Sequence, residues 1–279
     1  MCRQLKLTLA AAALTCFASV AAAQPTKSEG KKEFEPYSGQ SGKDVVWVPT
    51  PQALVDRMLD MAKLTTADVH FDLGSGDGRT VITAAKRGGR ATGIEYNPDM
   101  VELSRRNAQK EGVADRAIFV QGDIFTPQSV EMYSKASVIT LFLLPDLNVK
   151  LRPNLLNMKP GTRIVSNSFS MGDWKEDDKI TAGGECTSWC TAYLWVIPAK
   201  VTGNWKTSRG NLTLKQEYQM LSGTMNTGNV SAIISDAKML GDQITFSAGG
   251  AKYTGKVNGN NIEGTYTSSA GNGTWTASR

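Results

Sequence analysis

Glycine and acidic residues cluster where the first predicted strand of the chain ends. Residues 69–79 read VHFDLGSGDGR, and Glu95 stands at the end of the next apolar stretch. This pattern predicts a buried strand, a glycine-rich turn, a helix and a second strand that ends in a carboxylate. In such an arrangement the glycines let the backbone approach a ligand, and the acid binds ribose hydroxyls. The residues therefore predict a pocket for a nucleoside-containing cofactor.

The spacing of the glycines separates two classes of cofactor. The run from Gly74 to Gly78 reads Gly-x-Gly-x-Gly, and Arg79 stands where a dinucleotide fingerprint has its third glycine. Close packing of helix and strand over a pyrophosphate is therefore not specified, which disfavours a nicotinamide-dependent oxidoreductase. Asp72 and Asp77 flank the glycines. Their negative charge opposes a pyrophosphate but suits a ligand that carries a sulfonium and an ammonium group.

Strand and helix signals alternate around this turn. Asn97-Pro98-Asp99 predicts an N-cap, a first-turn proline and a favourable acid at the start of a helix. The apolar run 135–144 is typical of a central parallel strand that is buried on both faces. The alternation predicts an α/β fold with a doubly wound, Rossmann-like sheet. Further predicted elements are strands at 117–121, 163–168 and 192–198 and a helix over 147–158.

The run from Asp72 to Gly78 resembles the first motif of the class I S-adenosylmethionine-dependent methyltransferases, an acid followed by Gly-x-Gly-x-Gly. The resemblance covers about residues 45–198. It implies that S-adenosylmethionine is the cofactor, with Glu95 on its ribose, Asp123 on its adenine amino group and Ile124 against the adenine ring. The residues implied around its methionine end are Thr50, Pro51, Asp72, Gly74, Ser75 and Gly76.

Three local motifs narrow this resemblance. They are WVPTP at 47–51, TLFLLPDLN at 140–148 and SMGDW at 170–174. Together they are similar to the protein-lysine methyltransferases that modify the ATP synthase c subunit and related membrane proteins, and to their bacterial relatives. The similarity implies a lysine acceptor in a protein and a methyl-transfer channel bordered by Leu144 and Pro145. Where this family usually has an aromatic residue with a hydroxyl, the chain has Phe142.

Methyl transfer to lysine requires an amine that has lost its proton. Burial or a nearby carboxylate assists that loss. Asp146 and Asp173 are the candidate catalytic residues, because each follows a predicted strand at the edge where ligands bind in open α/β sheets. Each of them is equally explained as an ordinary loop acid. The reaction otherwise requires mainly alignment and a dry site.

Composition excludes other kinds of site. The only histidine, His70, lies inside the first predicted strand, where it is expected to be a packed residue. A Ser-His-Asp triad and a multi-histidine metal centre are therefore excluded, and no metal is expected. The formal net charge of +5 includes Arg3 and Lys6, so a chain without its first 23 residues would carry +3. That charge, without a stripe of lysine and arginine, does not predict nucleic-acid binding.

The N-terminus predicts an exported protein, periplasmic or secreted. Arg3 and Lys6 precede an alanine-rich apolar stretch that ends in three alanines. This is typical of a secretory signal peptide, with cleavage after Ala23. An uncleaved membrane anchor is the alternative, although the stretch is slightly short for a membrane span. Because S-adenosylmethionine is made in the cytosol, export also leaves open a non-catalytic protein that binds S-adenosylmethionine or another nucleoside.

Cleavage at this position would leave two of the four cysteines, Cys186 and Cys190. An even pair in a predicted loop of an exported protein favours a local disulfide.

The amino-acid composition changes after the predicted strand at 192–198. Glycine, threonine, asparagine and serine dominate, and Asn258-Gly259 is a hairpin-turn signal. These features predict a small all-β domain, an antiparallel meander or barrel of about six to eight strands, with Trp205 and Trp275 in its core. Either substrate recognition or simple stabilisation explains such a module. The predicted organisation is a signal peptide (1–23), a flexible linker (24–43), the cofactor-binding domain (44–200) and the β domain (201–279).

Overall fold

The computed structural model describes Met1, residues 33–184 and residues 186–279. The predicted signal peptide after Met1 lies outside the described residues. The helices are α1 (Gln52–Met61), α2 (Arg79–Lys86), α3 (Pro98–Lys110), α4 (Pro127–Tyr133) and α5 (Pro145–Leu155). Strands of the first sheet are β1 (Val69–Leu73), β2 (Arg90–Glu95), β3 (Ala117–Gln121), β4 (Val138–Leu141), β5 (Arg163–Asn167), β6 (Asp178–Thr181) and β7 (Thr191–Val196). None of the helices described has the length and apolar character needed to cross a bilayer.

The first sheet has the strand order β3-β2-β1-β4-β5-β7-β6. The first five strands in this order pair in parallel, whereas β7 runs antiparallel to both β5 and β6. The central strand β4 is buried along its whole length, as a strand covered by helices on both faces must be. The predicted doubly wound α/β class is confirmed. Strand order reverses between β1 and β4, which opens a crevice at their carboxyl ends.

Several element boundaries differ from the sequence prediction. β4 ends at Leu141, because residues 142–144 leave the sheet and line cavities. α5 begins at Pro145, two residues before the predicted helix, since proline is well suited to the first helical position. β6 was not predicted at all. Its four residues are exposed except for the half-buried Ile180, so it carries no hydrophobic pattern.

The second sheet is a closed antiparallel barrel. β9 pairs with β8 on one side and β10 on the other, so eight strands form a ring, and β11 pairs with the second half of β10. Closure leaves the ring without free edges. The prediction of a barrel-like all-β domain is confirmed. Its strands are β8 (Gly203–Thr207), β9 (Gly210–Glu217), β10 (Met220–Thr227), β11 (Val230–Ile233), β12 (Ser235–Leu240), β13 (Gln243–Ala248), β14 (Ala251–Asn258), β15 (Asn261–Ser268) and β16 (Gly271–Ser278).

Aromatic side chains fill the barrel. Trp205 and Trp275 are each 1% exposed, which confirms that they are core residues. The rings of Phe246 and Tyr253 stack at 4.7 Å, and Trp275 meets both of them edge-on. A barrel of eight strands has an interior just wide enough for such side chains.

The turn between β9 and β10 joins the barrel to the first sheet. Gln219 is buried and accepts a hydrogen bond from Trp174 Nε1 at 2.9 Å, while its own amide donates to Lys175 O at 2.8 Å. The ring of Tyr218 stacks on Trp174 with centroids 5.8 Å apart. Trp174, the last residue of the SMGDW motif, and Lys175 therefore form a joint between the two sheets.

A hairpin precedes α1. Gly39 N donates to Trp47 O at 2.8 Å, Trp47 N donates to Gln40 O at 2.9 Å, and Ser41 forms a β-bridge with Val46. The sequence predicts a flexible linker as far as residue 43, but the structure places residues 40–43 in this hairpin. Backbone hydrogen bonds across the hairpin order this segment, and a polar composition alone does not reveal such pairing.

Candidate active site

A cavity lies at the carboxyl ends of β1, β2 and β4, with the hairpin on one side; its volume is about 1050 Å³ with the adjoining space open to solvent included. We call it the main cavity. It brings together eight of the eleven residues predicted for the cofactor: Thr50, Asp72, Gly74, Ser75, Gly76, Glu95, Asp123 and Ile124. The long sequence separations between them are bridged because parallel strands end at one edge of the sheet.

The glycine-rich turn forms one wall of the main cavity. Gly74, Gly76 and Gly78 have φ values of +83°, +54° and +83°, in the left-handed region that favours glycine. Space excludes side chains as well. A Cβ on Gly76 would lie 2.6 Å from Trp47 Nε1, and one on Gly78 would lie 2.7 Å from Phe119 Cζ. The turn is therefore a bare backbone surface that a ligand can approach closely.

Glu95 is held in place by backbone amides. Its Oε2 accepts from Gly76 N and its Oε1 accepts from Asn97 N, both at 2.9 Å. Each carboxylate oxygen retains further acceptor capacity, because a carboxylate offers about four lone-pair sites. The side chain is thus a rigid, half-buried acceptor at the end of β2, suited to a pair of hydroxyl groups.

Ser75 provides an unsatisfied polar atom in the same wall. Its side chain is 5% exposed, and its Oγ has no hydrogen-bond partner among the described residues. Buried hydroxyl groups nearly always have a partner. Ser75 lines the main cavity, but its Oγ is buried on the side of Gly93, where an added Cβ would lie 2.4 Å from it.

Asp72 is a buried carboxyl in a short hydrogen-bond chain. His70 Nε2 lies 2.9 Å from Thr140 Oγ1, which donates to Asp72 Oδ1 at 2.6 Å. Burial lowers the pKa of His70 to about 3, so the imidazole is neutral and its Nε2–H donates to the threonine. Burial, opposed by the Thr140 hydrogen bond, raises the pKa of Asp72 to about 7. His70 is the packed strand residue that the sequence predicts.

Asp77 does not add a second free charge to this wall. Its carboxylate pairs with Arg79, whose Nη2 lies 2.6 Å from Asp77 Oδ2. Arg79 Nη1 also donates to Thr50 O at 2.9 Å, which ties the start of α1 to the glycine-rich turn. Arg79, which stands where a dinucleotide fingerprint has its third glycine, therefore holds the start of α1 against the glycine-rich turn. Of the two flanking acids, only Asp72 remains for a cationic ligand.

Asp123 forms an ion pair with a lysine of the hairpin. Lys43 Nζ donates to Asp123 Oδ2 at 2.7 Å and lies 5.2 Å from the ring centroid of Tyr96. The hydrogen bond from Lys43 holds the pKa of Asp123 below its usual range. All three residues line the main cavity. Lys43 and Tyr96 were not singled out in the sequence, since Lys43 lay in the predicted linker.

A second cavity of about 910 Å³ adjoins the first, and we call it the side pocket. Residues 41–46, Phe142 and Leu143 line both cavities, so the two lie side by side. Leu144, predicted to border the methyl-transfer channel, lines the side pocket together with Phe169 and Trp189. Trp189 was not singled out in the sequence, although it stands between Cys186 and Cys190, which form a disulfide in the structure.

The remaining predicted residues do not line either cavity. Pro51 is the N-cap of α1 and Pro145 the first residue of α5. Asp146 is exposed in the first turn of α5. Asp173 pairs with Arg152 and accepts from Tyr218 Oη at 3.0 Å, so it belongs to the joint with the barrel. The structure therefore brings neither predicted catalytic acid to the cavities.

The main cavity fits S-adenosylmethionine on chemical grounds. Asp72 offers a carboxyl for a cationic group, and Glu95 offers paired acceptors for hydroxyls. The apolar side chain of Ile124 provides a surface for an aromatic ring. In the described part of the chain, no group of three or more His, Cys, Asp or Glu residues is arranged to hold a metal.

Comparison with known proteins agrees with this cavity. The family model of the ANTKMT methyltransferase domain matches residues 72–178. A protein-lysine N-methyltransferase of Saccharolobus islandicus is 42% identical over 158 residues, which are 55% of this chain and 94% of that protein. The human lysine N-methyltransferase of the ATP synthase c subunit is 31% identical over 144 residues, which are 51% of this chain and 59% of that enzyme.

A solved structure is also similar. The RNA methyltransferase from Salinibacter ruber, in complex with S-adenosyl-L-homocysteine, is 46% identical with a TM-score of 0.50. The match covers 55% of this chain and 96% of that one. S-adenosyl-L-homocysteine is the product that S-adenosylmethionine leaves after methyl transfer, so this similarity agrees with the cofactor inferred from the cavity. The family model ends at residue 178, before the barrel.

Proposed function

The chain belongs to the family of S-adenosylmethionine-dependent protein-lysine N-methyltransferases, and we propose that it methylates lysine side chains of a protein substrate. The observation that carries the proposal is the position of the side pocket beside the main cavity, with residues 41–46, Phe142 and Leu143 in the lining of both. The main cavity has the polar groups that suit the cofactor. The side pocket has an apolar wall of Phe142, Phe169 and Trp189, which suits the long aliphatic part of a lysine side chain.

S-adenosylmethionine, when bound, would supply a methyl group on a positively charged sulfur: a neutral amine would attack the methyl carbon in line while the carbon–sulfur bond breaks and the neutral thioether leaves. The residues of this chain contribute alignment and exclusion of water rather than covalent chemistry. Glu95, held by two backbone amides, would orient the hydroxyl groups of the cofactor at one end of the main cavity. Asp72 places negative charge at another wall. The acceptor nitrogen reaches the junction of the two cavities through the side pocket.

Asp44 is the residue that we assign to accept the proton of the acceptor amine. Among the described residues that line both cavities, it is the only one with a carboxylate. Its side chain is 44% exposed, so a proton can pass on to solvent. The Asp44→Asn variant is expected to turn over more slowly while its Kd for S-adenosylmethionine is unchanged, and calorimetry with initial-rate assays measures both.

The alternative acceptor is RNA, by analogy with the RNA methyltransferase from Salinibacter ruber. The charge of this chain favours protein instead. The formal net charge is only +5, and the sequence has no lysine and arginine stripe of the kind that binds a phosphate backbone. A non-catalytic protein that only binds the nucleoside has no support in the comparisons, whose family members are named methyltransferases.

Location outside the cytosol is also part of the proposal. Arg3, Lys6 and the apolar stretch that follows support a signal peptide cleaved after Ala23. The Cys186–Cys190 disulfide supports an oxidising compartment. A membrane protein of the cell envelope is therefore the proposed substrate. Mass spectrometry of the native N-terminus tests the location: a mature chain that begins at Gln24 supports export, whereas an intact N-terminal segment supports an anchor.

The full chain, titrated calorimetrically with S-adenosylmethionine and then incubated with labelled cofactor, tests the activity. Envelope membrane proteins and total RNA from the same cells are offered in parallel. Label on lysine of an envelope protein is the expected result. Label on RNA would replace the proposed acceptor, and absence of cofactor binding would overturn the proposed activity. Cofactor binding with no transfer to either fraction would favour the non-catalytic alternative.

A further inference from the structure

Three aromatic rings meet at the mouth of the side pocket. The ring centroids of Phe142 and Phe169 lie 6.1 Å apart, those of Phe142 and Trp189 6.0 Å, and those of Phe169 and Trp189 5.5 Å. None of the three is buried in a core, and Trp189 is 44% exposed. Exposed aromatic surface concentrated beside a cavity is characteristic of binding sites.

The position of Trp189 is imposed by the loop that carries it. Its φ is +56°, a left-handed conformation that is strained for a bulky residue. The disulfide between Cys186 and Cys190 closes the loop around it, with the Cα atoms 5.8 Å apart. Strain of this kind persists only where the surrounding structure enforces it, and it is concentrated at functional sites.

Backbone hydrogen bonds close the base of this loop and attach it to the segment that carries Phe169. Ala182 N donates to Cys190 O at 2.8 Å, and Ser168 N donates to Thr191 O at 2.7 Å. Phe169 follows Ser168 directly, and Trp189 precedes Cys190 directly. The two rings are therefore fixed relative to each other through the pairing of adjacent backbone.

Given the proposed function, we propose that Phe142, Phe169 and Trp189 form the acceptor site, and that the disulfide-closed loop makes this site selective for an alkyl ammonium side chain. Aromatic faces attract organic cations and pack against an aliphatic stem, but they offer nothing to a carboxylate. The side pocket shares lining residues with the main cavity, so an ammonium group held by the rings lies beside the cofactor cavity, where Asp44 takes its proton before methyl transfer. Trp189 is a specificity-determining residue on this assignment.

Binding of a methylated-lysine probe tests the site without turnover. The full chain, saturated with S-adenosylhomocysteine, is titrated with Nε-trimethyl-lysine and with its neutral carbon isostere, in which a tert-butyl group replaces the trimethylammonium. The wild type is expected to bind the cation at least tenfold more tightly. Trp189→Leu is expected to remove most of this preference, and Trp189→Phe to keep part of it. Tyr37→Leu, which changes an exposed aromatic residue outside both cavities, is the matched control.

The role of the disulfide is tested in the same assay. Reductant is expected to lower the preference for the cation in the wild type several-fold while the Kd for S-adenosylhomocysteine stays unchanged. The Cys186→Ser/Cys190→Ser double variant should start at the lowered value and not respond to reductant. Equal affinity of the wild type for both probes, or an unchanged preference in Trp189→Leu, would overturn the acceptor site.

Failure of this site and failure of the proposed function give different results. If lysine is methylated at an unaltered KM by Trp189→Leu, the activity stands and the acceptor site is wrong. If the cationic probe binds through Trp189 and no lysine is methylated, the site stands as a recognition pocket and the activity is wrong.

Discussion

At the residue scale, the site depends on how a few acids are partnered. Asp72, Asp77, Glu95 and Asp123 all lie near the glycine-rich turn, but their surroundings differ. Asp77 is neutralised by Arg79, Asp123 by Lys43, and Glu95 is oriented by backbone amides. Asp72 alone is buried without a cationic partner among the described residues, and its pKa is raised to about 7. The four acids near this turn thus have different roles. Asp77 pairs with Arg79, Asp123 pairs with Lys43, Glu95 accepts from backbone amides, and Asp72 can gain or lose a proton.

Glu95→Gln is expected to raise the Kd for S-adenosylmethionine by about tenfold or more. The change removes the charge and turns one of two acceptor oxygens into a donor that faces a backbone N–H. Hydrogen bonds to a charged group contribute about 1.5–3 kcal/mol, and each 1.4 kcal/mol is a factor of about ten in affinity. Calorimetry measures the change, with Asp99→Asn in the exposed first turn of α3 as control. Equal affinity of Glu95→Gln and wild type would remove Glu95 from the cofactor site.

The raised pKa of Asp72 predicts a pH dependence of cofactor affinity. The carboxyl is protonated below about pH 7 and ionised above it. A nearby cation stabilises the ionised form, so cation binding lowers this pKa, releases a proton and tightens as pH rises through 7. We therefore expect the ratio of affinities for S-adenosylmethionine over the uncharged-sulfur product S-adenosylhomocysteine to grow between pH 6 and pH 8. Asp72→Asn should flatten that ratio, and a slope that survives in this variant would assign the titration to another group.

At the element scale, loops and turns rather than strands complete the site. The hairpin of residues 39–47 supplies Lys43 and Asp44, and the loop between β6 and β7 supplies Trp189. The β9–β10 turn holds the segment after β5 through Gln219. The hairpin, the β6–β7 loop and the β9–β10 turn are each held by hydrogen bonds to the first sheet or to a segment that follows one of its strands.

Gln219→Ala is expected to destabilise the fold by about 1–3 kcal/mol, because it leaves the buried Trp174 indole N–H without its acceptor. Urea denaturation followed by circular dichroism measures the loss. Gln243→Ala, which removes an exposed amide whose contact is the adjacent Asp242, is the matched control and should change stability little. Equal stability of both variants would show that the joint contributes nothing to folding.

At the scale of the whole molecule, the barrel lies outside the region that the family model matches. The model ends at residue 178, whereas the barrel begins at Gly203. Tyr218 and Gln219 cover Trp174, which is completely buried. We therefore expect the barrel to stabilise the first sheet, whatever it contributes to recognition of the substrate.

A chain truncated after Lys200 is expected to lose thermal stability and to bind a hydrophobic dye. Removal of the barrel exposes Trp174 and leaves its indole N–H without the Gln219 acceptor. Thermal unfolding and dye fluorescence measure the effect. If the truncated chain keeps the unfolding midpoint of the full chain, the barrel is not a stabiliser, and recognition of the substrate becomes its remaining explanation.

The sequence by itself determined the class of fold and the cofactor. The spacing of Gly74, Gly76 and Gly78, with Glu95 one strand later, depends on local backbone geometry, which is read directly from residue types. The resemblance built on this spacing, narrowed by the motifs at 47–51, 140–148 and 170–174, identified the family that the comparisons then showed.

Only the tertiary structure decided which acids are free, where the proposed acceptor pocket lies and what Asp173 and Trp174 of the SMGDW motif contact. Arg79 neutralises Asp77, Lys43 returns from the hairpin to Asp123, and Asp173 faces the barrel rather than a cavity. Trp189 joins Phe142 and Phe169, which are distant from it in the chain. These contacts join separate segments, and neither hydrophobic period nor turn chemistry carries information about such pairings. The motif at the glycine-rich turn is local, and so it could be recognised from the sequence; the partners that neutralise or orient its acids are not local.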